Sequence, residues 1–191
     1  MKLRHANWWP TALFYTLIGG LSVAPCALAD WMANVDPTSS APGPQDIVIS
    51  LKLDPKSNPE AACLSVTLAR SLRGDFSAPT GNNVTLFPTL DGVALGDGHL
   101  VSSPRFRCTV PQEGVISLQE NLEDFLCSTG DRTDCYIQGE FVGDANGNMV
   151  ICPICWEERY GDEDPFYGFL PPPDNPAVGK MILDAEKILD F

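Results

Sequence analysis

Met149-Val150-Ile151-Cys152-Pro153-Ile154-Cys155-Trp156-Glu157-Glu158-Arg159-Tyr160-Gly161 is the stretch that decides how this 191-residue chain is read. Met149, Val150 and Ile151 form a short unbroken apolar run, the pattern of a parallel strand buried on both faces. Pro153 suits the first position of a helix, and Glu157, Glu158 and Arg159 continue as helix formers. Cys152 therefore falls where a strand hands over to a helix. Unpaired N–H groups and the positive end of the helix dipole gather at such a turn, so a thiolate or a persulfide on Cys152 is expected to be stabilised there. Glu157 and Glu158 push the other way if they lie close.

On the amino-terminal side of this stretch, Asp46 to Leu53 is rich in β-branched residues and predicts a first strand. Asn58, Pro59 and Glu60 supply an Asx cap, a proline at the first helical position and an acid in the first turn, which predicts a helix to about Leu72 with Gly74 as its stop. Val84-Thr85-Leu86-Phe87 follows as a second strand. Strand, helix and strand at this spacing make a βαβ unit, hence a parallel pair and an α/β fold. Asp91, Gly92 and Val93 come just beyond the carboxyl end of the second strand, the edge on which open α/β sheets bind ligands, and are candidate ligand-binding residues. Gly96 to Gly114 reads as loop. Ser117 and Glu120 form a capping box for a helix to Leu126. Tyr136 to Val142 suits either a strand turning at Asn146-Gly147 into the central Met149 strand or a plain loop.

Beyond the cysteine turn, Asp162 to Pro176 is acidic, aromatic and proline-rich and reads as a surface loop or lid. Ala177 to Ala185 suits a short helix, and Lys187 to Phe191 a last strand.

Met1 to Ala29 reads as a secretory signal peptide, with Lys2 and Arg4 before an apolar middle and Ala27-Leu28-Ala29 as cleavage site. Trp31 to Gln45 then reads as a flexible lead-in to a domain over 46–191. The expected location is extracytoplasmic, most simply a periplasm, with no membrane span once the signal is removed. The formal charge of −13 becomes two units more negative when Lys2 and Arg4 leave, which makes nucleic acid and anionic lipid poor partners. Of seven cysteines, Cys63, Cys108, Cys127, Cys135, Cys152 and Cys155 remain, an even number that points to disulfides in an exported chain. Cys63, Cys108, Cys127 and Cys135 are candidates for structural disulfides, with connectivity open. No second close cysteine pair exists for zinc, and Asp144, Asn146 and Asn148 lack the glycine and glutamate of a calcium loop, so no metal or cofactor is expected.

The order and spacing of these elements resemble the DsrE/DsrF-like family of sulfur-relay proteins, which includes the TusD type of sulfur carrier. The resemblance covers Asp46 to Phe191. It rests on the first strand and helix, on Val84-Thr85-Leu86-Phe87 leading to Asp91-Gly92-Val93, on Leu118 to Leu126, on Ile151-Cys152-Pro153-Ile154-Cys155 and on Ala185 to Phe191. It implies a three-layer α/β/α sandwich with a central, mainly parallel sheet and assembly into homo- or hetero-oligomers; the negative charge, which repels free thiosulfate and sulfite, makes a protein sulfur donor or acceptor the expected partner. The resemblance also implies a persulfide carried on a cysteine at a strand-to-helix turn, the position of Cys152. The signal peptide, the four additional cysteines and two loop insertions depart from the cytoplasmic members.

Three functions fit these residues. Cys152 carries sulfane sulfur, with Cys155 able to resolve it; or Cys152 and Cys155 exchange disulfides, although too little chain follows Cys155 to complete a thioredoxin domain. Alternatively, all six cysteines are structural, and Phe166, Tyr167 and Phe169 either present a contact surface on a binding subunit or pack back onto the domain.

Overall fold

The computed structural model describes residues 44–75, 78–111, 113–127, 135–138, 140–141, 148–173 and 175–191. The stretch expected as a signal peptide, all of the expected lead-in before Pro44 and the expected turn at Asn146-Gly147 lie outside them. The first strand, β1 (Asp46–Leu51), places Ile47, Val48 and Ile49 where β-branched side chains pack best. Helix α1 (Pro59–Arg73) begins with Pro59 in its first turn and ends at Gly74, whose φ of 85° is open to glycine at little cost. Asn58 occupies the N-cap position as expected, but its side chain makes no capping bond. Two short strands, β2 (Gly74–Asp75) and β3 (Ala78–Pro79), pair before β4 (Asn83–Pro88).

A 3-10 turn over Leu90–Gly96 and a one-turn helix, α2 (Gly98–Val101), follow β4. The stretch expected as loop then contains an antiparallel pair, β5 (Arg107–Val110) and β6 (Gly114–Ser117). Helix α3 (Leu118–Leu126) starts at the expected capping box. The Ser117 hydroxyl accepts from the Glu120 amide at 3.0 Å, and the Glu120 carboxylate accepts from the Ser117 amide at 3.3 Å; such a cap contributes about 1 kcal/mol. A short hairpin of β7 (Tyr136–Ile137) and β8 (Glu140–Phe141) precedes α4 (Pro153–Tyr160), α5 (Ala177–Asp184) and β9 (Lys187–Asp190).

The result is a mixed α/β fold with a parallel three-stranded sheet ordered β4-β1-β9. Ile49 of β1 pairs with Leu86 of β4 on one side and with Leu189 of β9 on the other. The central strand is therefore β1 rather than the Met149 run. That run instead lies along the other edge of β4. The Leu86 amide donates to Asn148 O at 2.7 Å, the Val150 amide to Leu86 O at 2.9 Å and the Cys152 amide to Pro88 O at 3.0 Å. Phe169 pairs with its far side, so both neighbours of this short segment are backbone.

Alternation along the strands sends Ile47, Ile49, Leu51, Val84 and Leu86 to one face, where they pack with Ala62, Val66 and Ala69 of α1 and Leu118, Leu122 and Phe125 of α3. The same cluster takes in Met149, Ile151, Trp156 and Tyr167. Where α1 meets α3, the Arg70 guanidinium donates to buried Asn121 at 2.9 Å, and Asn121 in turn donates to Thr67 at 2.9 Å. A disulfide joins Cys63 of α1 to Cys108 of β5, and a second joins Cys127 to Cys135. On the opposite face, α5 lies across a cavity of about 320 Å³ from Val48 and Thr85 and buries none of its residues. All described residues belong to one unit, Ala41–Phe191.

Candidate functional site

Three backbone decisions place the cysteine turn. Parallel pairing brings Cys152 to the carboxyl edge of the sheet, where its amide is held by Pro88 O. Pro153, which has no N–H to leave unsatisfied, starts α4 directly after it. One helical turn later the Trp156 amide donates to Cys152 O at 3.0 Å. Cys152 is thus the N-cap residue of α4, and Cys155 returns on the next turn above it. Both are free thiols and half-buried, with their sulfurs 2.6 Å apart. That separation exceeds a disulfide bond of about 2.05 Å yet is well inside ordinary non-bonded contact, so a bond between them closes with a movement of about half an ångström. Thr89 Oγ1 lies 3.6 Å from the Cys155 sulfur.

The charge state of Cys152 runs against the expectation from a helix start alone. Burial pushes its thiol pKa up, and the hydrogen bond shared with the Cys155 thiol adds to that; the Cys155 amide and the Thr89 hydroxyl pull the other way without prevailing. Glu157 and Glu158 are both exposed on α4. The thiol form therefore dominates at neutral pH. When the reduced protein is alkylated with iodoacetamide, the rate at Cys152 is expected to keep rising with pH beyond about 8.5, where a free cysteine is half ionised. A rate that levels off below pH 8, followed peptide by peptide in a mass spectrometer, would show a stabilised thiolate instead.

Asp91, Gly92 and Val93 sit in the 3-10 turn beside α4, and the three do different things. The Gly92 amide is spent on Thr89 O at 2.9 Å and Lys52 O at 3.2 Å, and Val93 is fully buried. Both are buried. Only Asp91 is open, and its carboxylate accepts from Arg159 of α4 at 3.0 Å, tying the 3-10 turn to the cysteine helix. Arg159 also reaches Asp54 at 3.6 Å.

Cys63, Cys108, Cys127 and Cys135 are consumed in the two disulfides. Of the aromatic loop residues, Tyr167 packs inward while Phe166 and Phe169 remain exposed. Tyr167 carries a feature that periodicity does not reveal: its hydroxyl donates to the buried Glu123 carboxylate at 2.7 Å, and Gln119 donates to the same oxygen at 2.9 Å. Burial and the neighbouring carboxylate hold the Tyr167 phenol far above the ordinary tyrosine range. The i,i+4 spacing of Gln119 and Glu123 on α3 was the one available signal. Among the described residues no cluster of histidine, cysteine and acid side chains is arranged to hold a metal ion.

Comparison of the chain with protein-family models, with curated proteins and with solved structures finds no match.

Proposed function

We propose that this protein handles sulfane sulfur at Cys152, with Cys155 as the resolving thiol, as an exported relative of the DsrE/DsrF-like sulfur carriers. The observation that carries this reading is the position of Cys152. It caps α4 at the carboxyl edge of a parallel sheet, half-exposed, with a second free sulfur at 2.6 Å. With helices facing both sides of the sheet, we take the architecture as a three-layer α/β/α sandwich whose α5 layer is loosely packed. Assembly with a second copy or a related subunit belongs to the same proposal. A protein persulfide is the favoured sulfur source, because the acidic surface repels free thiosulfate and sulfite.

In the first step the Cys152 thiolate attacks the outer sulfur of a donor R–S–SH. A Cys152 S–S bond forms, the donor S–S bond breaks, and the donor departs as a thiol after taking up the proton that Cys152 lost. The persulfide is then passed to an acceptor thiolate in the same way. In the absence of an acceptor, the Cys155 thiolate attacks Cys152 Sγ and expels hydrosulfide. The sulfane sulfur is reduced to sulfide, while the two cysteines are oxidised to a disulfide.

A second reading, thiol–disulfide exchange with a partner protein, is favoured by the same 2.6 Å separation. One experiment addresses both. The reduced Cys155→Ser variant is exposed to glutathione persulfide and is expected to gain about 32 dalton on the Cys152 peptide, the mass of one sulfur. The wild type is expected to release sulfide and end with Cys152 and Cys155 joined. A Cys155→Ser variant that stays unmodified sinks the sulfur reading. In that case a reduction potential for the pair above about −300 mV would support exchange, and one below it a structural disulfide.

A further inference from the structure

Beside α4, with neither Cys152 nor Cys155 in its lining, is a cleft of about 500 Å³, within the range of small-molecule sites. Its walls are aromatic. Trp156 and Tyr160 stack with ring centres 4.2 Å apart, and Phe166 stands 57 % exposed among the lining residues. The Phe166 ring is seated against Gly98, where a Cβ would come within 2.7 Å of its Cγ. Asp97, Glu163 and Asp164 contribute carboxylates to the lining and His99 an imidazole, and no lysine or arginine lines the cleft. The nearest cation in sequence, Arg159, is engaged by Asp91 and Asp54. Its guanidinium carbon lies 6.0 Å from the Tyr160 ring centre, at the outer limit of a cation–π contact.

Aromatic faces combined with carboxylates that no lysine or arginine of the lining neutralises select for a cation with an apolar body. A small inorganic ion gains little from the rings, and a neutral apolar molecule gains nothing from the acids. We infer that the cleft formed by Tyr160, Phe166, Asp97, Glu163 and Asp164 is a binding site for a small organic cation of the alkylated-ammonium class. The site is separate from the sulfur chemistry proposed above and does not depend on it. Asp97 caps α2, accepting from the His99 and Leu100 amides, so one wall of the site is anchored to the chain that follows the 3-10 turn.

The test compares choline with its neutral carbon isostere, 3,3-dimethylbutan-1-ol, by isothermal titration of the full folded protein. Choline is expected to bind at least tenfold more tightly than the alcohol, and its affinity to fall with added salt. Removing the exposed ring in Phe166→Ala is expected to weaken choline about threefold to thirtyfold, the span of a cation–π contact. Phe166→Tyr should restore binding, and Phe169→Ala, on an exposed ring outside the cleft, should leave it unchanged. The double variant Glu163→Gln, Asp164→Asn is expected to narrow the preference for choline over the alcohol. No heat with choline up to 100 mM (a range set for the experiment), equal binding of the alcohol, or equal losses in Phe166→Ala and Phe169→Ala would each overturn the assignment.

Discussion

Gly92→Ala is expected to lower the stability of this protein by about 3 kcal/mol or more, read as a drop in the urea midpoint with the slope unchanged. A Cβ at this position comes within 2.0 Å of Leu51 O and 2.7 Å of Leu51 C. Both are backbone atoms of the central strand, so no rotamer change relieves the overlap. The 3-10 turn has to lift away, and it gives up the Gly92 amide bonds to Lys52 O and Thr89 O as it does so. Thr89 belongs to the same junction, its amide donating to Leu51 O at 2.9 Å and its hydroxyl facing the Cys155 sulfur. The displacement therefore reaches the cysteine turn. Gly179→Ala is the internal comparison: it lies within α5 with nothing inside 4 Å of its Cβ and is expected to gain up to about 1 kcal/mol. A Gly92→Ala protein as stable as the wild type would show that the turn yields freely.

Removing the Cys63–Cys108 disulfide is expected to cost more than removing the Cys127–Cys135 disulfide. Their sequence separations are 45 and 8. The chain-entropy relation converts those loops to about 4 kcal/mol and about 2.5 kcal/mol respectively. The longer bridge also ties α1 to β5 at the rim of the main core, with Cys108 buried. Double alanine variants of each pair, unfolded in guanidinium chloride, give the comparison directly. Equal losses, or a larger loss for the shorter loop, would mean that native packing rather than unfolded-state entropy sets the effect.

The parts of the fold that could be read from the chain are those written in local chemistry. β-branched runs gave β1 and β4, proline and glycine bounded α1, and the capping box at Ser117 and Glu120 set the start of α3. The turn at Cys152 followed from a short apolar run meeting Pro153. What escaped depends on partners far apart in sequence. Nothing around Arg107 or Gly114 announces that the two stretches pair, because each is too short to show alternation. The order of the strands is likewise invisible locally, which is why the Met149 run was expected at the centre and lies instead along β4. Gly92 lies against the backbone of Leu51, and a glycine kept for such close approach looks the same in a sequence as one kept for a ligand. The raised pKa of the Cys152 thiol depends on how deeply the turn is sunk, a property of the assembled core. Tyr167 and Glu123 meet across 44 residues, and no periodicity predicts a buried carboxylate beneath an aromatic loop.

The position of β1 between β4 and β9 has a kinetic consequence. One partner arrives after a single helical crossover, so the loop that must close is short. The other arrives only when nearly all of the described chain has been laid down. Loop-closure entropy rises with the length enclosed, and contacts between distant residues slow the search for the native state. The two edges of the same strand therefore mature at different times. The β1–α1–β4 unit is able to form while the opposite edge of β1 is still bare, and that edge then remains a template for wrong pairing until Ile188 and Leu189 arrive to close it.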